Sequence, residues 1–187
     1  MYVGKRIRIG IVDNDKLTLG VMKLMVERIL PLADVCWTAS DGATAVRKGL
    51  DPKTQLDVLL VDMSLEGMSG CDVCRCIRVE TARIALVGMT AFSLERYGAS
   101  ALENGADCLV DKADVRGLCQ TLCELANGRR PNAEYVSSEN AQESHERLLN
   151  EGWKEGVCEA FSQREREVMQ LCVLCFTSKE IRAKLGI

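Results

Sequence analysis

The sequence predicts an α/β fold in which a doubly wound, five-stranded parallel sheet is covered by helices on both faces. Short runs of branched and apolar residues, typical of buried strands, alternate five times with segments whose apolar residues recur at helical spacing. Parallel neighbours need helical crossovers, so this alternation favours a parallel sheet. The 187 residues, of which 47% are hydrophobic, suffice for one domain of ordinary size and a smaller second one.

The expected strands are residues 7–12, 34–39, 57–61, 83–89 and 108–110. The expected helices are residues 17–30, 42–50, 71–79, 94–104 and 115–126. Gly105 stands where a glycine commonly ends a helix before a strand. Ligands of such folds bind outside the carboxyl ends of the strands, so functional side chains should directly follow the apolar runs.

Polar residues follow four of these five runs. They are Asp13 and Asn14 after the first strand, Asp62 after the third, Thr90 after the fourth and Lys112 after the fifth. If the sheet forms as predicted, these side chains converge on one rim. Clustered carboxylates repel each other and bind a hard divalent cation through oxygen, and Mg²⁺ is the usual choice where phosphate is handled.

The ten cysteines occur in a chain with no secretion signal at the amino end and no apolar run of membrane-spanning length. These features predict a cytoplasmic protein with reduced thiols and no membrane contact. The cluster Cys71, Cys74 and Cys76 raises a zinc hypothesis, but no second pair follows at a suitable distance and His145 is the only histidine. Small apolar filler on a helix is the favoured role of the cluster.

Residues 7–126 resemble a response-regulator receiver domain at four separated places. The matching strings are VDND (12–15), DMSLEGMSG (62–70), MTA (89–91) and GADCLVDK (105–112). The resemblance implies a flavodoxin-like receiver that accepts a phosphoryl group on Asp62 from a sensor histidine kinase. It implies a phosphoacceptor signalling protein that takes part in its own phosphoryl transfer and dephosphorylation, and not an enzyme with a separate substrate.

The same resemblance implies a role for each residue of the rim. The implied Mg²⁺ positions are Asp13, Asn14, Asp62 and the backbone carbonyl of Ser64. The metal would neutralise charge on the incoming phosphoryl group while Asp62 acts as the nucleophile. Lys112 and the Thr90 hydroxyl would bind phosphoryl oxygens, and the small Ala91 would leave room for the group.

Two of the departures from the family pattern bear directly on the mechanism. Asn14 stands where the family usually has a second acidic metal ligand, so Mg²⁺ should bind more weakly unless the adjacent Asp15 compensates. Leu109 occupies the place of an aromatic switch residue, which puts the usual coupling of the threonine to a rotating ring in doubt.

The composition changes after the last predicted helix. Residues 128–156 are polar and indicate a linker, with a short helix near 144–149. Residues 161–187 again have helical spacing, and Ser162 and Thr177 each begin a capping box. The strings REREV and SKEI resemble the opening of a LuxR-type helix-turn-helix. The expected organisation is a receiver over 1–127, a linker over 128–156 and the first two helices of a partial LuxR-type helix-turn-helix over 157–187.

The predicted function is that of a two-component response regulator in which phosphorylation of Asp62 controls a LuxR-type DNA-binding effector and thereby transcription. DNA binding is expected only if the helix-turn-helix is completed beyond Ile187, and a homodimer is left open as a partner state. One alternative is a receiver-only or pseudo-receiver module that binds a protein and no DNA. The other is a small Mg²⁺-dependent phosphatase, for which the rim lacks further acid or nucleophile residues.

Overall fold

Six strands form one sheet in the computed structural model, which describes residues 6–151 together with positions 182 and 186. The strands are β1 (Ile7–Val12), β2 (Ala33–Ala39), β3 (Val58–Asp62), β4 (Ala85–Thr90), β5 (Cys108–Asp111) and β6 (Tyr135–Val136). The helices are α1 (Lys16–Ile29), α2 (Gly42–Leu50), α3 (Gly70–Glu80), α4 (Leu94–Glu103), α5 (Val115–Ala126) and α6 (Ala141–Glu151). The expected helix-turn-helix over 157–187 lies outside the described residues, apart from those two positions.

The sheet has the order β2-β1-β3-β4-β5-β6. Strands β1 to β5 are parallel, as predicted, and every predicted strand and helix is found with ends within two residues of those expected. The chain divides into two compact units, residues 1–148 and 149–187, and the first contains the whole sheet.

Two hydrophobic cores cover the two faces of the sheet. One core joins the sheet to α2, α3 and α4, and its helical members include Val46, Val73, Ile77 and Ala101. The other joins the sheet to α1 and α5 through Leu19, Met22, Val26, Leu118 and Leu122. Strand β3 is buried along its whole length because both faces are covered, which explains its continuous apolar sequence.

Residues within the expected linker form secondary structure. Strand β6 adds to the outer edge of β5 in antiparallel orientation, with Cys108 opposite Val136 and Leu109 opposite Tyr135. Helix α6 includes the short helix expected near 144–149 and buries Leu148. The pairing satisfies backbone groups that an edge strand would otherwise expose. The structure therefore has a sixth, antiparallel strand that the sequence analysis does not predict.

None of the helices in the described ranges is both long and apolar enough to cross a membrane.

Candidate functional site

The carboxyl ends of β1, β3, β4 and β5 bring the predicted polar residues to one rim of the sheet. Asp62 is the last residue of β3 and Thr90 the last of β4, whereas Asp13 and Lys112 directly follow β1 and β5. Asp13, Asp62 and Thr90 are buried, although all three are polar. Burial of two carboxylates side by side is unfavourable unless their charge is compensated.

Lys112 supplies that compensation. Its Nζ lies 2.7 Å from Asp13 Oδ2 and 2.9 Å from Asp62 Oδ1, so a single ammonium group bridges the two carboxylates. Burial by itself lowers the pKa of Lys112, but the hydrogen bonds to Asp13 and Asp62 outweigh it and raise the pKa above its usual value. Lys112 therefore remains a cation at the centre of the rim.

Ser64 fixes the orientation of the Asp62 carboxylate. Its hydroxyl lies 2.9 Å from Oδ1 and 3.0 Å from Oδ2 of Asp62, and its backbone N–H donates to Oδ1 at 3.1 Å. The resemblance to receiver domains implies a role only for the backbone carbonyl of Ser64. The donation by its hydroxyl and N–H is a contribution that the spacing of the motif did not reveal.

Asp15 is the N-cap of α1, and both of its carboxylate oxygens accept hydrogen bonds from the first turn of that helix. Oδ1 accepts from the backbone N–H of Leu17 at 2.9 Å, and Oδ2 accepts from the Thr18 hydroxyl at 2.7 Å. The hydrogen bond from Thr18 is the main cause of the lowered pKa of Asp15. The backbone N–H of Asp15 donates to Asp13 Oδ1 at 2.9 Å, so Asp15 supports the rim through its main chain.

Thr90 forms hydrogen bonds with the segment that follows β4 and with the residue that follows β5. Its Oγ1 accepts from the backbone N–H of Phe92 at 3.0 Å, and its carbonyl oxygen accepts from the backbone N–H of Lys112 at 2.9 Å. Ala91, the next residue, is exposed, and so is Asn14, which follows Asp13 at the end of β1.

The donor set fits Mg²⁺, with one carboxylate fewer than the family pattern. Asp13 and Asp62 offer carboxylate oxygens and Ser64 offers a carbonyl, and these hard donors match an ion that usually keeps several water ligands. Within the described residues, no group of three or more histidine, cysteine, aspartate or glutamate side chains could hold a metal. The side chain of Asn14 is exposed and, as an amide, adds no negative charge to this set.

Leu109 is wholly buried in the core on the α2, α3 and α4 side of the sheet. A Cβ on Gly88 of the neighbouring strand would lie 2.9 Å from Leu109 Cδ1, so the side chain packs tightly over β4. The position of the expected switch residue is therefore filled by an aliphatic side chain inside the core.

The cysteine cluster of α3 faces the core and α4. Cys74 is fully buried, and Cys71 Sγ lies 3.4 Å from the Ser100 hydroxyl. Burial raises the pKa of Cys71 and Cys74, and it raises the pKa of Cys76 to about 11. These groups are protonated thiols at neutral pH, which suits apolar filler better than metal ligation.

The sequence is similar to those of known response regulators. The family model of the response regulator receiver domain matches residues 9–122. The nitrate/nitrite response regulator protein NarP of Escherichia coli (strain K12) is 27% identical over 178 residues, which cover 94% of this chain and 78% of NarP. The transcriptional regulatory protein LiaR of Bacillus subtilis (strain 168) is 26% identical over 175 residues, which cover 94% of this chain and 80% of LiaR.

Solved structures show the same fold. A two-component response regulator of the LuxR family from Aurantimonas sp. SI85-9A1 has a TM-score of 0.61 at 28% identity, over 76% of this chain and 97% of that one. The signal receiver domain of NarL from Mycobacterium tuberculosis has a TM-score of 0.61 at 22% identity, over 67% of this chain and 100% of that one, and shows the fold alone. The predicted flavodoxin-like receiver fold is confirmed. The chain belongs to the response regulator receiver family.

Proposed function

We propose that Asp62 accepts a phosphoryl group from a sensor histidine kinase, and that this modification controls a LuxR-type effector of transcription. The observation that carries the proposal is the arrangement at Asp62. Its carboxylate ends a buried strand, Ser64 orients it, and Lys112 links it to Asp13. A carboxylate held in this way meets the requirement that the nucleophile be positioned before an in-line phosphoryl transfer.

Three residues of the rim have separate roles in the phosphoryl transfer. A carboxylate oxygen of Asp62 forms the new bond to phosphorus while the bond between phosphorus and the donor group breaks. Lys112, already a cation beside Asp62, neutralises negative charge on the phosphoryl oxygens. The Thr90 hydroxyl donates a hydrogen bond to a phosphoryl oxygen once the acyl phosphate exists.

Mg²⁺ belongs to the same proposal. Asp13, Asp62 and the Ser64 carbonyl would hold the ion, and its chemistry there is neutralisation of charge on the transferred group. With an amide at Asn14, the site has one negative charge fewer than a site with three carboxylates. Transfer should therefore need more Mg²⁺ than in a receiver with an acid at that position.

Control of transcription is supported by the relatives and by the sequence of the tail. NarP is named a response regulator and LiaR a transcriptional regulatory protein, and both align with residues on either side of position 151. The REREV and SKEI strings suggest that the effector is of the LuxR type and contacts DNA through a completed helix-turn-helix.

A second candidate function is a pseudo-receiver that binds a protein partner without phosphorylation. Two observations favour it: the exposed amide of Asn14 where an acid would hold metal, and the aliphatic Leu109 in the core. In this case the Lys112 bridge between Asp13 and Asp62 would serve as a permanent structural substitute for the metal.

Intact mass spectrometry after incubation with acetyl phosphate and Mg²⁺ tests the proposal. The wild-type protein should gain one phosphoryl group, and Asp62→Asn should gain none. Asp111→Asn is the matched control, because Asp111 is also a strand-end carboxylate of the rim but is exposed. It should be labelled like the wild type. Equal labelling of Asp62→Asn would overturn the assignment, and an unlabelled wild-type protein at saturating Mg²⁺ would favour the pseudo-receiver.

A further inference from the structure

An open cavity of about 580 Å³ lies at the edge of the sheet opposite the rim. Its wall includes Ala85, the first residue of β4, and Asp107, which precedes β5, whereas the rim lies at the carboxyl ends of the same strands. The residues after α5, strand β6 and the beginning of α6 complete the wall. The cavity belongs entirely to the first compact unit, and the proposed phosphoryl transfer does not use it. A cavity of this volume can hold a small organic molecule.

Three arginines line this cavity, and none of them forms an ion pair within the part of the chain that the structure describes. They are Arg83, which precedes β4, and the adjacent Arg129 and Arg130, which follow α5. Arg130 Nη2 donates to the carbonyl oxygen of Ser137 at 3.0 Å, a neutral partner that leaves its charge uncompensated. All three arginines are exposed, so their guanidinium groups remain accessible to a ligand.

The carboxylates of the cavity wall already have partners. Asp107 is paired with Arg78 at 2.8 Å, and Glu139 is paired with Arg147 at 3.0 Å. Glu143 Oε2 accepts from a backbone N–H at the start of α6 at 2.8 Å. With the two pairing arginines included, five guanidinium groups stand against three carboxylates, so the cavity as a whole attracts anions.

The rest of the wall indicates what kind of anion would fit. Leu125, Pro131 and Val136 supply apolar surface, and Ser137 and Ser138 supply hydroxyl groups. Guanidinium groups bind phosphate oxygens through paired N–H donors. An apolar wall beside such donors suits a carbon skeleton or a ring. The combination therefore fits an organic phosphate better than a free inorganic ion.

We propose that this cavity binds a small organic phosphate of nucleotide size, with its phosphate groups on Arg83, Arg129 and Arg130. The inference goes beyond the proposed phosphoryl transfer and does not depend on it. Arg83 lies in the loop before β4, whereas Val136 and Ser137 lie in the segment that carries β6. A bound molecule would contact both segments and would therefore stabilise the docking of β6 on β5.

Isothermal titration calorimetry of the full chain with ADP tests the proposal, in EDTA so that no Mg²⁺ occupies the rim. ADP should bind saturably with one molecule per chain. Adenosine, which lacks the phosphates, and pyrophosphate, which lacks the ring, should each bind more weakly than ADP. Arg83→Gln and Arg129→Gln should each weaken ADP binding by about tenfold, because each removes a charge-assisted contact. Arg28→Gln is the matched control, since Arg28 is exposed on α1 outside the cavity wall, and it should bind like the wild type.

Two-dimensional NMR of the backbone amides locates the bound probe. ADP should shift the amide signals of Val136 and Ser137 and leave those of Ala91 and Lys112 at the rim unchanged. Circular dichroism checks that the arginine variants keep the fold. The absence of saturable binding at millimolar ADP, equal affinity in Arg83→Gln, Arg129→Gln and the wild type, or shifts confined to the rim would each overturn the proposal. Adenosine or pyrophosphate binding as tightly as ADP would also overturn it.

Discussion

Tyr135 lies directly opposite Leu109 in the antiparallel pairing of β6 with β5. Its ring also covers Gly98 of α4, where a Cβ would overlap the aromatic carbons. Both side chains belong to the core on the α2, α3 and α4 side of the sheet, Leu109 within it and Tyr135 packed against it. Position 109 itself carries no ring, yet its cross-strand neighbour brings one to the same region between β5 and α4.

Because the Tyr135 ring covers Gly98, even a small side chain at position 98 should lower the stability of the fold. Gly98→Ala should lower the free energy of unfolding by about 1–3 kcal/mol, because the added methyl group and the ring cannot occupy the same space. Gly20→Ala, on the open face of α1, should leave it unchanged or raise it by up to about 1 kcal/mol. Urea denaturation monitored by circular dichroism measures both changes.

Removing the ring supplies the control for that prediction. In a Tyr135→Ala background the same Gly98→Ala change should cost clearly less, because the two positions are coupled through one contact. A cost that is equal in both backgrounds would mean that Tyr135 does not pack on Gly98.

The ion pair of the buried Arg78 with the half-buried Asp107 predicts a large loss of stability on removal of the arginine. Arg78 is fully buried, its Nη2 lies 2.8 Å from Asp107 Oδ2, and its Nε donates to the Gly105 carbonyl. Arg78→Met should cost about 3–5 kcal/mol, because the half-buried carboxylate of Asp107 then loses its cation and keeps the hydrogen bond from the Leu86 backbone N–H. Lys23→Met, which breaks an exposed pair, should cost at most about 1 kcal/mol. Similar urea midpoints for the two variants would contradict this account.

The donor set of the rim predicts how Mg²⁺ affinity responds to charge. Asn14→Asp should raise the affinity by about tenfold or more, because a carboxylate added next to Asp13 contributes Coulomb attraction for the cation. Asp15→Ser should leave the affinity nearly unchanged, since serine keeps the cap of α1 and the side chain of Asp15 is used for capping. Isothermal titration calorimetry with MgCl₂ compares the three proteins. A large loss of affinity in Asp15→Ser would show that Asp15 is a ligand.

The raised pKa of Lys112 predicts how stability responds to alkali. Its folded pKa lies above the ordinary 10.5, so the stabilisation by its ammonium group is fully present below that pH and is lost as the pH rises through the folded value. The difference in unfolding free energy between the wild type and Lys112→Met should therefore be constant from about pH 7 to pH 9 and shrink above the unfolded pKa. A difference that already shrinks near neutral pH would indicate that Lys112 is not held by Asp13 and Asp62.

The sequence predicts the elements that are long enough to show a period, and topology then places Asp13, Asp62, Thr90 and Lys112 on one rim. Three features required coordinates. A strand of two residues such as β6 is too short for any alternation of apolar and polar residues to be detected. Asp15 is of a residue type that suits both a helix cap and a metal ligand, and only its hydrogen bonds distinguish the two.

The third feature is the hydrogen bonding between the side chains of the site. The bridge from Lys112 to Asp13 spans 99 positions, and no local pattern encodes it. The hydroxyl of Ser64 lies close to Asp62 in sequence, but its contact with both carboxylate oxygens depends on the rotamer. The convergence of these side chains on one rim was therefore predictable, whereas the hydrogen bonds among them were not.

Borohydride trapping would locate the phosphoryl group at a single residue and thus tests phosphorylation of Asp62 directly. After incubation with acetyl phosphate and Mg²⁺, borohydride reduces an aspartyl phosphate to homoserine, and peptide mass spectrometry identifies the converted position. The account predicts conversion at Asp62 alone, and none in Asp62→Asn. Conversion at Asp13 or at any other carboxylate of the wild-type protein, with Asp62 intact, would contradict it.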